Sequence, residues 1–315
     1  MRGWSSAATG TSRKRGKTTI SAIEVFERIR PLLFSISYRM LGSVMEAEDV
    51  VQEAYLRWQE TGEQVHSPSA YLSPVVTRLC IDRLRSARDR REQYVGSWLP
   101  EPLLEEEAPE VAGMVDLDGS LSMAFLVLLE SLTPVERAVF LLREVFGYEY
   151  AEIACLVGKS EANCRQNSRR ARQSGAARRP RFESSPEQEK RLMDGFLNAS
   201  LEGDIGSLLR LLSEDVTLYS DGGGKTRAAL NPIYGAVNVA RFLVGILSKV
   251  PPGFTVRKTR VNGRPGFVSY LGDGSPQGVV TFDVLEGKVK TIRLLVNPEK
   301  LENVPPLERG EDGAG

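Results

Sequence analysis

The stretch SDGGGKTR, Ser220 to Arg227, sets three glycines ahead of a Lys-Thr pair, the composition of a loop that wraps phosphate with successive backbone N–H groups. That chemistry needs a further glycine five positions before Gly224-Lys225-Thr226, and Tyr219 stands there. The stretch is no nucleotide cradle, and its role must come from its setting. Metal chemistry fares no better. Cys80, Cys155 and Cys164 form no C-x-x-C pair and the single histidine, His66, has no companion at ligand spacing. Cys80 and Cys155 sit in apolar helical patterns and read as small core residues. General acid–base work in the C-terminal third would want a His–Asp or a carboxylate pair. That third has no histidine, and Asp215, Asp221 and Asp283 show no pairing in sequence. The expectation is a protein that is not an enzyme and needs no cofactor or metal.

Arginine carries the remaining chemistry. Lys plus Arg and Asp plus Glu both number 41 in 315 residues, so a nucleic-acid surface has to come from clustering. Arg78 to Arg91 holds six arginines against two aspartates, and Arg165 to Arg181 holds seven arginines and no acid. Between them Glu101 to Asp118 holds seven acids and no base. Two basic blocks around an acidic one are a pattern that a solvated surface does not require.

The elements that must position these groups fall into three blocks. In MEAEDVVQEAYLRW, Val50, Ala54 and Trp58 recur at four-residue spacing beside Val51 and Tyr55, a buried helical stripe with Asp49, Gln52, Glu53 and Arg57 on the remaining surface. After a loop at Gly62 to Pro68, a second helix turns Leu72, Val76, Leu79, Cys80 and Leu84 inward and projects Arg78, Arg85 and Arg88. Pro74 is tolerable only near its first turn. YVGSWLPEPLLEEEAPEVAG is a proline-punctuated acidic linker whose Trp98-Leu99 pair should dock rather than face water. Thr133 then caps a helix with Pro134 at its first position, ending near Gly147. A short helix, a turn through Gly158-Lys159 and a second helix capped by Ser160 follow at helix-turn-helix spacing. On that last helix Cys164, Ser168 and Ala171 share one side. Arg165, Arg169 and Arg172 share another with Gln166, as a helix inserted in a major groove needs.

From about Ser185 the pattern changes to helices at Pro186, at DIGSLLRLL and at GAVNVARFLVGILSKV. A first strand, VTLYS, and four later strand-like runs are separated by Asn262-Gly263, Gly272-Asp273-Gly274 and Glu286-Gly287 turn signals. This predicts an α+β domain whose curved antiparallel sheet wraps a helix. Phe242, Phe267, Tyr270 and Phe282 could line a small-ligand pocket in it. No apolar run approaches the ~20 residues of a membrane span. Met1 to Thr19 lacks the apolar centre of a signal peptide. A reducing cytoplasm is the expected setting.

These blocks in this order resemble a bacterial extracytoplasmic-function (ECF) sigma factor of the sigma-70 family. AEDVVQEAYLRW resembles the region-2 signature helix, and LTPVERAVFLLREVFGYEYAEIACLVGKSEANCRQ resembles region 4. The subgroup with a fused C-terminal SnoaL-like domain, including SigJ-type factors, is closer still. It carries a Trp-Leu-Pro-Glu-Pro linker (here Trp98, Leu99, Pro100, Glu101 and Pro102) and an Asp-Gly-Gly-Gly-Lys motif (here Asp221, Gly222, Gly223, Gly224 and Lys225). It also carries a late Asn-Pro-Asp-Lys, here Asn297, Pro298, Glu299 and Lys300, with Glu in place of Asp. Asn167 departs from the aliphatic residue usual in the recognition helix.

The resemblance implies two all-α sigma domains, at 21–95 and 117–182, joined by the acidic linker 96–116. A SnoaL-like domain at 183–302 and disordered tails at 1–20 and 303–315 complete the chain. It implies that Asp49, Gln52 and Glu53 hold the β′ clamp helices of core RNA polymerase, and that region 4 meets the β flap. The loop Thr61 to Pro68 would capture a flipped −10 base, and Arg78, Arg83, Arg85 and Arg88 would grip the separated strand. The promoter −35 element would meet Ser160, Glu161, Asn163, Arg165, Gln166, Arg169 and Arg172. The extension would regulate in cis, with Trp98-Leu99 docked against Asp221–Lys225 and Asn297–Lys300. The alternative is an ordinary helix-turn-helix regulator with a ligand-sensing or enzymatic domain, which has no need for the Asp49–Glu53 face.

Overall fold

The stripe Val50, Val51, Ala54 and Trp58 is buried as its spacing requires, on a helix, α2 (Val44–Thr61), packed between α1 (Ala22–Leu41) and α3 (Pro68–Glu92). The computed structural model describes residues 22–61, 67–104, 121–174 and 186–308. The loop expected to capture a base, apart from its ends, the acidic run after Leu104, the tail 1–20 and the end of the chain from 309 lie outside those residues. On α3 all five expected core residues, Leu72, Val76, Leu79, Cys80 and Leu84, are buried. Pro74 lies further into α3 than its first turn, because the helix already begins at Pro68. Proline there leaves the carbonyl of Ala70 without its helical donor, and Ala70 is exposed, so water can take that place.

Four more helices follow: α4 (Met123–Leu129), α5 (Pro134–Glu144), α6 (Tyr150–Val157) and α7 (Glu161–Gln173). Thr133 caps α5 in a reciprocal capping box with Glu136, and Pro134 opens the helix. Gly158, at φ 65°, ends α6 in the left-handed conformation, and Ser160 Oγ accepts from Asn163 N at 3.3 Å to start α7. These helices share one continuous core with α1 to α3, from Phe26 through Phe125 and Phe140 to Ala171. Cys155 is exposed, against expectation. The inward face of α6 is set by Ile153, Leu156 and Val157, and a residue two after Ile153 falls on the far side of a 3.6-residue helix.

The C-terminal unit opens with α8 (Pro186–Glu202) and α9 (Ile205–Leu211), the latter capped by Asp204. β1 (Leu212–Asp221), β2 (Ile233–Tyr234), α10 (Ala236–Leu247), β3 (Thr255–Val261), β4 (Arg264–Tyr270), β5 (Pro276–Leu285) and β6 (Lys288–Leu295) follow. The sheet order is β2-β1-β6-β5-β4-β3, open at both edges. Asn262-Gly263 (φ 53° and 72°) and Glu286-Gly287 (φ 52° and 73°) make the two-residue hairpin turns that their sequence signals. β1 runs parallel to β6, so the sheet is mixed and not wholly antiparallel. Register shifts in β1–β6, β4–β5 and β5–β6 bend it.

Both faces of this sheet are covered. α8, α9 and α10 pack on one with Phe196, Leu208 and Leu243. Leu99 and Leu104 of the linker pack on the other with Val268, Tyr270, Val279 and Leu295. The segment read as a tail from residue 303 begins later: Val304 is buried in that second cluster, and Leu307 pairs through its backbone with Gly274. An apolar pair inside a Pro- and acid-rich stretch is too weak a periodic signal to reveal this.

Candidate functional site

Asp221, the last residue of β1, has no solvent exposure, and its carboxylate reads the linker backbone. Oδ2 accepts from Leu99 N at 2.8 Å and from Lys300 Nζ at 2.8 Å. Oδ1 accepts from Tyr94 Oη at 2.6 Å and from Gly223 N at 3.0 Å. Lys300 closes the clamp by donating to Leu99 O at 2.5 Å, so both backbone groups of Leu99 are held by one buried ion pair. The same ammonium sits 4.3 Å from the Trp98 ring centroid and 5.0 Å from that of Tyr94, over π faces that favour a desolvated cation. Burial, and the carboxylate that accepts its proton, push the Tyr94 phenol well above its ordinary value, so it stays a donor. Asn297 Nδ2 in turn donates to the Tyr94 oxygen at 2.9 Å.

The glycines act by absence of a side chain. Gly223 has φ 60°, and a Cβ on it would lie 2.3 Å from Asn297 Nδ2. A Cβ on Gly222 would lie 2.7 Å from Thr226 O. Lys225 and Glu299 form a salt bridge at 2.7 Å on the exposed rim, with little to add in stability there.

The other half of the linker grips the first helical unit. Glu101 accepts from Ser43 Oγ at 2.7 Å, Val44 N at 2.6 Å and Met45 N at 3.3 Å, capping the N-terminus of α2. Burial pushes its carboxyl above the usual value, opposed by those hydrogen bonds and by the charge of Lys300. Tyr38 Oη donates to Glu101 O at 2.6 Å and accepts from Asn262 Nδ2 at 2.7 Å. Asn262 also accepts from Leu103 N at 3.1 Å and donates to Leu121 O at 3.1 Å. Trp98 lies against Gly42, where a Cβ would come within 2.8 Å of the ring. Pro100 and Pro102 are buried. One eleven-residue stretch, 94–104, thus touches α1, α2 and the C-terminal sheet together.

The charged surfaces are arranged differently. On α2, Asp49 and Gln52 are exposed and Glu53 half-buried. Arg83 reaches back to this face, 3.7 Å from Asp49 and 3.4 Å from Glu53, and donates to Glu46 O. Arg78 donates to Leu156 O at 3.2 Å and Cys155 O at 3.0 Å, at the C-terminal end of α6. In this arrangement Arg78 is engaged by the helix-turn-helix unit and Arg83 by α2. Arg85 is exposed and, among the described residues, pairs with Asp82, three residues earlier on the same helix. Arg88 lies on α3, and its side chain is outside the described positions.

On α7, Cys164, Ser168 and Ala171 are buried, and Arg165, Gln166, Arg169 and Arg172 are exposed. Arg165 pairs with Glu161 at 2.8 Å, and Arg172 with Glu144 at 2.5 Å. Asn167 is half-buried and turns its amide to the carbonyl of Asn163 at 2.9 Å, so it points neither into the core nor fully outward.

Residues 25–90 match the Sigma-70 region 2 model and residues 122–174 the Sigma-70 region 4 model. The chain is 35% identical over 306 residues to the ECF RNA polymerase sigma factor SigJ of Mycobacterium tuberculosis, covering 93% of this chain and 97% of that protein. The chain belongs to the ECF RNA polymerase sigma factors. The probable ECF RNA polymerase sigma factor SigI of the same species is 31% identical over 289 residues, covering 91% of this chain and 95% of its own. The crystal structure of M. tuberculosis SigJ superposes with a TM-score of 0.74 at 32% identity, over 90% of this chain and 100% of that one. As an ECF sigma factor the protein works in promoter-specific transcription initiation, with core RNA polymerase and promoter DNA as partners. The region 2 match falls on α1 to α3 and the region 4 match on α4 to α7, and the α+β unit follows them. No helix among the described residues is long and apolar enough to cross a membrane.

Sequence reasoning missed Tyr94, Tyr38, Asn262 and Ser43. In the sequence Asn262 reads as a turn residue, since Asn-Gly at a hairpin needs no other reason. The two tyrosines sit in helical or linker contexts where a phenol reads as packing. The expected ligand pocket is also redrawn. Phe242 and Phe267 line a cavity of about 210 Å³ between α8, α10 and the sheet. Phe282 instead stacks edge-on between Phe196 and Phe267 in the core. Tyr270 lies on the opposite face with Leu99, because it is an odd number of positions from Phe267 on the same strand.

Proposed function

We propose that the C-terminal domain regulates this sigma factor in cis by holding the linker, and that the clamp on Leu99 fixes how regions 2 and 4 sit relative to each other. The observation that carries this is the paired capture of the Leu99 N–H and C=O by Asp221 and Lys300. A linker gripped at its backbone is held whatever its neighbours do, and releasing it frees both sigma regions from one shared restraint. Trp98, Pro100, Glu101, Pro102, Gly222–Lys225 and Asn297–Glu299 support the same clamp.

Core polymerase engages through Asp49, Gln52 and Glu53 with the β′ clamp helices and through region 4 with the β flap. Promoter −35 contacts come from the N-terminal and exposed side of α7, with Ser160, Glu161, Asn163, Arg165, Gln166, Arg169 and Arg172. Strand contacts near −10 fall to Arg78, Arg83, Arg85 and Arg88, and two of these must leave their present partners to serve. The closed arrangement is therefore a resting one. The C-terminal domain is not catalytic in this reading. Among the described residues its cavity is lined by no Asp, Glu or His, and Asp215, Asp221 and Asp283 each face a cation, Lys290, Lys300 and Arg293. The cytoplasm, where the polymerase acts, is its place of work.

Run-off transcription with purified bacterial core polymerase on the promoter preceding the protein's own gene tests this. Wild type is expected to start at one defined site. Asp221→Ala is expected to change the yield at least several-fold with core affinity unchanged. Equal yields from the two would overturn regulation through the clamp.

A further inference from the structure

The cavity in the C-terminal domain has a chemistry that packing does not explain. Its walls are apolar, with Phe196, Phe242, Ile246, Phe267, Leu294 and Val296. Three serines and Gln277 are in its lining. Ser269 Oγ donates to Gly278 O at 3.2 Å, while Ser200 on α8 and Ser220 on β1 stand at 3% and 1% exposure. Neither Oγ has a hydrogen-bond partner among the described residues. Leaving such a group buried and unpaired is unfavourable, and two in one apolar cavity call for a shared partner. The exposed Arg227 adds a cation to the lining, with no acid paired to it among the described residues. Two donors and a guanidinium are matched by an anionic acceptor; the walls are matched by hydrocarbon.

We infer that this cavity is a binding site for a compact apolar carboxylic acid, and that its occupancy is felt by the linker. The reading deepens the regulatory one above and rests on it only for the second clause. A cavity of about 150 Å³ takes benzene, so about 210 Å³ suits an acid somewhat larger, of about eight to ten non-hydrogen atoms. Transmission follows from strand geometry. Successive side chains point to opposite faces of a sheet, so Ser220 faces the cavity while Asp221 faces Leu99. On β6 and just beyond, Leu294 and Val296 line the cavity while Leu295 packs on Leu99. A ligand therefore presses on the back of the wall that holds the linker.

Octanoate is the probe, titrated calorimetrically into the full-length protein below its aggregation range, with octan-1-ol as its uncharged counterpart. A Kd of about 0.1–1 mM is expected for ten atoms of ordinary efficiency. The Ser200→Ala/Ser220→Ala double variant removes only unpaired hydroxyls, so it should fold, and it should weaken octanoate about tenfold. Arg227→Ala, at an exposed position, should weaken octanoate at least fivefold and leave octanol unchanged. No octanoate binding at 5 mM-scale concentrations (roughly tenfold above the expected Kd), or binding that none of the variants alters, would overturn the site. Equal affinity for octanol, untouched by Arg227→Ala, would overturn the acid assignment. Amide hydrogen exchange at Leu99 should change at least twofold with octanoate, and an unchanged rate would overturn the coupling. None of these readouts requires polymerase, so they fail or succeed separately from the transcription test.

Discussion

The linker at 94–104 and helix α7 of region 4 are both polar segments carried by this sigma factor, and they spend their polar groups in opposite ways. Around the linker, Asp221, Glu101, Asn262 and Lys300 are buried and turned on backbone groups within the chain. On α7, only Cys164, Ser168 and Ala171 are buried, while six long polar side chains, Arg165, Gln166, Arg169, Arg170, Arg172 and Gln173, stand in solvent. A buried charge is retained where its partner is fixed, because losing one member strands the other. An exposed guanidinium contributes little to folding and is available to phosphate or base. The first region is built for an internal partner and the second for an external one.

The contrast can be broken most directly at its buried end. Asp221→Ala should lower unfolding stability by about 3–5 kcal/mol, since it leaves the Lys300 ammonium buried without a carboxylate. Urea unfolding followed at Trp98 would measure this. A loss under about 1 kcal/mol, the size of an exposed pair, would show that the clamp is a surface feature.

A second, smaller effect should appear with pH at Glu101. Its carboxyl is raised by burial, so its contribution is full below the ordinary value of 4.5 and is lost as pH rises through the raised one. The urea midpoint of wild type minus that of Glu101→Gln should therefore fall as pH climbs from about 4.5. A rise over the same window would mean that the α2 N-terminus and Lys300 hold the group ionised.

The smallest stability effect belongs to α7. Arg169→Ala should change stability by no more than about 0.5 kcal/mol, yet weaken promoter binding and lower its salt slope by about one. Binding assays across a salt series give both values. A destabilised Arg169→Ala protein would mean that α7 is held by its arginines and not by its three small residues.

Local signals served the sequence reading where one element decides the outcome. The Val50–Trp58 stripe, the Thr133 and Ser160 caps, the Gly158 turn and both hairpins are set by neighbours within a few residues, and each forms as read. The docking of Trp98-Leu99 could be anticipated because an apolar pair in an acidic linker has nowhere else to go. What stayed hidden depends on distant partners. The pairing of β1 beside β6 is made by the returning chain, and strand alternation looks the same for either direction. Tyr94 and Asn262 meet their partners 127 and 159 residues away, beyond any periodicity. The strand contacts of Arg78 and Arg83 are implied by the family resemblance, and only the packing of α6 and α2 reveals what holds the two side chains here.

The central claim, that the linker clamp joins the C-terminal domain to sigma output, is tested most directly by a double-mutant cycle in run-off transcription. Trp98→Ala, Asp221→Ala and the double variant would be compared with wild type at equal saturation of core polymerase. One shared clamp predicts that the double variant behaves like either single one, with a coupling of about 0.5–3 kcal/mol. Effects that simply add would contradict it, placing Trp98 and Asp221 in separate roles.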